Sequence, residues 1–270
     1  MKKILFAASE GNPFIKTGGL ADVVGALPKY IDKSLYEISI IMPLYQCIPQ
    51  KFRKQMKKVT HFYENMPREQ EYIGIYKMEE SGITYYFIDN EYYFAGDAPY
   101  HHICEDVNKF AFFSRAVLAA LPQLKFCPDV IHCHDWQTGL LPMLLKVFYG
   151  ENKFYQNIKT VFTIHNQKFQ GRWQIDDIEN CRDIPAKYRY GAMEAYGESN
   201  FLKAGILYAD QVTTVSETYA REIQTPEGGE GLDGVMREVS GKLCGIINGI
   251  DEKEYDAQTD LDIEDTRSRA

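Results

Sequence analysis

The stretch KILFAASEGNPFIKTGGLADVVGALPKYID, Lys3 to Asp32, decides how the rest of the chain is read. Lys3 to Ala8 is short and apolar almost without a break, as a strand covered on both faces must be. A turn-rich segment with Gly18-Gly19 near its end follows, and Leu20 to Asp32 then carries apolar residues at helical spacing. Further short apolar runs lie at Ile38 to Met42, Val130 to Cys133, Thr160 to Ile164, Gln211 to Val215 and Leu243 to Ile247. Helical patterns fall between them at Asp106 to Leu121, Thr138 to Phe148, Glu198 to Tyr208 and Glu217 to Ile223. The alternation predicts a Rossmann-like, doubly wound α/β fold with a mostly parallel sheet. One stretch departs from it: Glu71 to Tyr93 reads as strand, turn, strand around Glu80-Ser81-Gly82, a β-hairpin insertion.

Composition narrows the function classes. The 270 residues hold 30 Lys and Arg against 38 Asp and Glu, a formal charge of −8. That sign argues against a general nucleic-acid binder, which needs clustered cations to neutralise phosphates. No apolar run approaches the ~20 residues that cross a bilayer, so no membrane partner is expected. The apolar start is too brief for a signal peptide and reads as a first strand. Cys47, Cys104, Cys127, Cys133, Cys181 and Cys244 are scattered without a CxxC pair, which suits reduced thiols in the cytoplasm. Asp251 to Ala270 is charged and nearly free of large apolar residues, and reads as a linker or a truncated element.

Chemistry-bearing residues collect where strands end. Gly18 and Gly19 let a ligand approach the backbone closely, and the helix behind them offers unpaired N–H groups and a partial positive charge to an anion. Lys16 adds a full charge beside them. The spacing is neither GxGxxG nor a P-loop, so it indicates neither a dinucleotide oxidoreductase nor a P-loop NTPase. Two readings stay open: an anion cradle, or a tight turn into a helix. Val130 to Cys133 runs into His134-Asp135-Trp136, Thr160 to Ile164 runs into His165-Asn166-Gln167, and Ile247 precedes Asn248-Gly249. In open α/β sheets ligands sit outside such carboxyl ends. Several polar strand ends suit a ligand rich in hydroxyls, such as a sugar. His132-Cys133-His134 invites a zinc reading, but alternate residues on a strand face opposite ways, so Cys133 cannot join both histidines. His132 then reads as a core histidine. Tyr100, in the loop after the hairpin, marks either a lid or acceptor surface or an ordinary loop.

Five motifs in register, KTGGLADVVGALPKY (Lys16 to Tyr30), HCHDWQTGLLP (His132 to Pro142), TVFTIHNQKFQG (Thr160 to Gly171), TTVSETYAREI (Thr213 to Ile223) and INGID (Ile247 to Asp251), make the chain resemble bacterial glycogen synthases and plant starch synthases. The resemblance implies the N-terminal half of a retaining, family 5 glycosyltransferase with two Rossmann-like lobes, the GT-B arrangement. It implies transfer of glucose from ADP-glucose to the non-reducing end of an α-1,4-glucan, with no metal or bound cofactor. It places Lys16, Gly18 and Gly19 on the donor pyrophosphate and sugar, Asp135 and His165 at the reacting centre, Asn166 and Asn248 around the transferred glucose, and Tyr100 on the acceptor side. Residues 1–250 are expected to be the N-terminal domain, with 251–270 a linker or the truncated start of a C-terminal domain that is absent. Such a domain alone is expected to be inactive. The rivals are a non-catalytic glucan- or nucleotide-binding module and a GT-B transferase of another donor.

Overall fold

The computed structural model describes residues 1–249 and 251. Strand β1 (Lys2–Ala7) lies at the middle of a nine-stranded sheet formed by the described residues. Leu5, Phe6, Ala7 and Ala8 are all but inaccessible to solvent, in keeping with an apolar run covered on both faces. Helix α1 (Gly19–Tyr30) carries the chain to β2 (Tyr36–Pro43), which pairs with β1 in parallel, Lys2 opposite Tyr36 through Ala7 opposite Ile41. Then come β3 (Lys57–Asn65), β4 (Gln70–Glu80) and β5 (Ile83–Asp89). Helix α2 (Ile103–Gln123) precedes β6 (Val130–His134), and α3 (Leu140–Tyr149) precedes β7 (Lys159–Ile164). Helix α4 (Phe201–Tyr208), β8 (Gln211–Thr214), α5 (Glu217–Glu222), α6 (Asp233–Glu238) and β9 (Leu243–Gly245) follow, with only shorter turns of helix and a two-residue strand pair beside them among the described residues.

Across the sheet the strands run β9-β8-β7-β6-β1-β2-β5-β4-β3. Only β4 runs against its neighbours. The chain builds outward from β1 through β2 to one edge, then returns to β6 on the other side of β1. That reversal opens a crevice outside the carboxyl ends of β1 and β6. Helix α2 is apolar around most of its circumference and is correspondingly buried, with Phe110, Phe112, Phe113 and Leu118 inaccessible. No helix of the described residues is long and apolar enough to cross a membrane.

The structure departs from the sequence expectations in a few places. The expected hairpin is present as β4 and β5, antiparallel from Gly74 opposite Asp89 to Glu80 opposite Ile83, but its attachment was not foreseen: β5 also pairs in parallel with β2, Ser39 opposite Thr84 through Pro43 opposite Ile88, so the hairpin extends the main sheet. Strand β3 was not expected, because its residues alternate between exposed and half-buried and include Lys57, Lys58, His61 and Glu64. The helix expected from Glu198 begins at Phe201, because the Asn200 side chain caps it by accepting from the Lys203 amide at 2.9 Å. Glu198 and Ser199 instead pair with Ala195 and Glu194. The helix expected from Thr138 begins at Leu140, behind a 3₁₀ turn at Trp136–Thr138. The strand expected through Ile247 stops at Gly245. Of the charged segment from Asp251 onward only Asp251 is described, bonded to Lys29 Nζ at 2.8 Å and Tyr30 Oη at 3.1 Å; residues 252–270 lie outside the described residues.

Candidate active site

A cleft of about 840 Å³ opens at the switch between β1 and β6. Gly18 and Gly19 line it, as do Tyr100, Asp135, His165, Asn166 and Asn248. The chain thus brings together seven of the eight residues singled out from sequence, though they are drawn from loops far apart in it.

At the start of α1, Gly18 is extended, at φ −157°, and no side chain caps the helix. No atom lies within 4 Å of where a Cβ would stand at Gly18 or Gly19. Neither glycine is demanded by packing, so the space in front of the helix start is open to a ligand. An uncapped start of this kind presents N–H groups and a partial positive charge, which suits an anion. Lys16 is the exception among the eight. Its ammonium is held at 2.6 Å by Asp22 in the first turn of α1 and does not line the cleft. Both side chains are substantially exposed, and such pairs contribute only about 0–1 kcal/mol, so a phosphate can compete with Asp22 for Lys16.

Asp135 follows directly on β6, at φ 54° and ψ −177°, a backbone conformation that non-glycine residues rarely adopt. Its Oδ1 accepts the His165 amide at 2.7 Å, and its own amide donates to the Thr163 carbonyl at 2.9 Å. The carboxyl is 9% exposed, and burial pushes its pKa up to about 7, against the pull of the His165 and Asn166 amides. His165 is pulled down to about 4 by burial and is neutral at physiological pH. His132, pulled down to about 3, bonds through Nε2 to Thr163 Oγ1 at 2.6 Å, the satisfied partner a core histidine requires. Cys133 is fully buried and alternates with the histidines on either side of it. Among the described residues no three His, Cys, Asp or Glu side chains are grouped to hold a metal ion.

Sequence reasoning missed Glu10. It is 4% exposed, accepts from Thr17 Oγ1 and the Thr17 amide, and accepts from Tyr100 Oη at 3.2 Å. Tyr100 Oη also lies 2.7 Å from Ser9 Oγ. Burial, with Glu10 beside it, raises the Tyr100 phenol well above its ordinary range. Glu10 therefore ties the glycine loop to the Tyr100 loop across 90 residues of chain, a link that no local spacing signals. Nor is residues 96–102 a free lid. Asp106 accepts the His101 amide at 3.0 Å, Lys109 donates to the Pro99 carbonyl at 2.9 Å, and the two side chains pair at 2.6 Å, both nearly buried. Arg172 and Lys168 supply cationic groups on the wall contributed by the segment after β7.

Residues 3–238 match the family model described as the starch synthase catalytic domain. The chain belongs to that family. It is 54% identical over 261 residues to a glycogen synthase of Lachnospira eligens, a match covering 96% of this chain and 55% of the relative. It is likewise 54% identical over 264 residues to a glycogen synthase of Lachnoclostridium phytofermentans, covering 96% of this chain and 55% of the relative. Among solved structures, the catalytic domain of starch synthase IV from Arabidopsis thaliana, bound to ADP and acarbose, superposes with a TM-score of 0.85 at 29% identity, over 96% of this chain and 54% of that one. The chain thus spans about half the length of the relatives it matches, and its Rossmann-like α/β architecture is that of the starch synthase catalytic domain.

Proposed function

We propose that residues 1–250 form the N-terminal lobe of a retaining glucosyltransferase that moves glucose from ADP-glucose to the non-reducing end of an α-1,4-glucan, and that residues 251–270 lead toward a second lobe. One observation carries the reading: the open glycine start of α1 shares a cleft with the buried Asp135 carboxyl and the His165 ring. The ADP and acarbose held by the Arabidopsis relative support a nucleoside diphosphate and a saccharide as ligands of this cleft.

Cleaving the bond between glucose and diphosphate builds negative charge on phosphate and positive charge on the sugar ring. Donors and cations already in place lower that barrier because they need not reorganise during reaction. The start of α1 and Lys16, released from Asp22, meet the phosphate. Asp135, His165 and Asn166 orient the sugar, and Asn248 holds one of its hydroxyls. Tyr100 lines the same cleft, held by Ser9 and Glu10, and stands on the acceptor side of the transferred glucose. This reading requires neither a metal nor a bound cofactor, and places the protein in the cytoplasm.

Glucan elongation is the test, with ADP-, UDP- and GDP-glucose offered to a full-length synthase carrying this chain. ADP-glucose is expected to be the preferred donor, the 270-residue chain alone to be inactive, and Lys16→Gln to cut turnover at limiting donor by about 10-fold or more. A glucan-binding module would show no elongation and no response to Lys16→Gln.

A further inference from the structure

His134 lies directly behind His165. Its Nδ1 is 3.0 Å from His165 Nε2, and the ring is inaccessible to solvent. It packs against the His132 ring, 4.2 Å away, and the Phe6 ring, 5.6 Å away, which themselves lie 4.8 Å apart, so the three rings form one cluster. Its backbone is pinned as well, since its amide donates to Thr138 Oγ1 at 2.7 Å and its carbonyl accepts from the same hydroxyl. Burial and these ring contacts hold the imidazole of His134 against His165.

Both rings are neutral at physiological pH, so one proton must lie between the two facing nitrogens. If His165 donated it, neutral His134 would have to carry its own proton on Nε2. That atom is buried and has no hydrogen-bond partner among the described residues. If His134 donates, its Nε2 is a bare acceptor instead. Orphaned buried N–H groups are the rarer of the two defects, which favours His134 Nδ1–H as the donor. His165 Nε2 is then the acceptor, and the single proton of His165 sits on Nδ1, which makes no hydrogen bond among the described residues on a side chain that lines the cleft.

We propose that His134 is a positioning residue: by donating from Nδ1 to His165 Nε2 it fixes His165 as its Nδ1–H tautomer, so that His165 offers the cleft a hydrogen-bond donor and never a bare nitrogen. The identity of the oxygen that accepts it, on the sugar or the diphosphate of ADP-glucose, rests on the proposed function; the tautomer assignment does not. A fixed donor selects ligands that place an oxygen lone pair there and leaves unpaired any that place a hydrogen.

The test is ¹⁵N NMR of the 270-residue chain, labelled at histidine, at neutral pH, where the protonated and bare ring nitrogens resonate apart. The expected wild-type spectrum shows His165 protonated at Nδ1 and bare at Nε2. His134→Phe keeps a ring in the stack but removes the donor, and is expected to let His165 populate the Nε2–H form. In a full-length synthase the same variant is expected to raise the KM for ADP-glucose about tenfold, the loss of one well-placed hydrogen bond. A wild-type His165 protonated at Nε2 overturns the proposal, whether or not the variant folds. So does a folded His134→Phe in which His165 keeps its proton wholly on Nδ1. If the expected tautomer is seen but the wild-type synthase ignores ADP-glucose, the proposed function fails and the assignment stands.

Discussion

At the scale of single residues, the buried Asp135 carboxyl makes stability depend on pH. Burial lifts its carboxyl from an ordinary value of 3.8 to about 7. Between those two values the unfolded carboxyl is ionised while the native one keeps its proton. The native state then binds more protons, and stability falls as pH rises through this window. Asp135→Asn removes the dependence while leaving an oxygen to accept the His165 amide. Thermal and urea unfolding are expected to show the variant more stable than wild type above pH 7, by up to about 4 kcal/mol, with the difference vanishing near pH 4. Glucan synthesis by the full-length variant is expected to fall by about 100-fold or more, the trade of stability for activity common at binding sites. Asp135 and His165 were legible in the sequence because each follows an apolar run at the carboxyl end of a strand. Glu10 and His134 were not, since their roles come from contacts to Tyr100 and His165, which only the fold brings near.

At the scale of elements, α2 holds the loop before it through the buried Asp106 and Lys109 pair. Lys109→Met leaves the Asp106 carboxylate buried without its cation, and urea unfolding is expected to register a loss of about 3–5 kcal/mol. Replacing both members, Asp106→Leu with Lys109→Met, is expected to recover much of that loss, because a desolvated pair contributes little net stability over an apolar one. A second element-level constraint lies between α3 and α4. A Cβ at Gly139 would stand 2.1 Å from the Phe201 carbonyl oxygen, so only glycine lets the start of α3 approach α4 so closely. The sequence showed the glycine but not its neighbour, which arrives from 62 residues further along (201 − 139).

At the scale of the whole molecule, stability is graded across the sheet. β1 and β6 are paired on both sides and covered by helices, whereas β3 at one edge is largely exposed and β9 at the other has three residues. Hydrogen exchange is expected to be slowest in β1 and β6 and fastest in β3 and β9; uniform protection would contradict the gradient. The same gradient explains what could be read beforehand. The central strands announce themselves as unbroken apolar runs, because a doubly covered strand has no wet face. β3 carries lysines at its start and wets much of its length, as an edge that must not recruit another chain should, and so offers no apolar run to mark it as a strand. The hairpin was visible but not its attachment to β2, since pairing partners are chosen by the global topology and not by turn chemistry. The Asp135 carboxyl group, finally, clasps the backbone that follows β7 by accepting the His165 amide, so two turns from separate strands are tied to each other before any ligand arrives. Most of the ordering entropy on this wall has then already been spent in folding, so a ligand entering from the cleft would meet it with little local rearrangement.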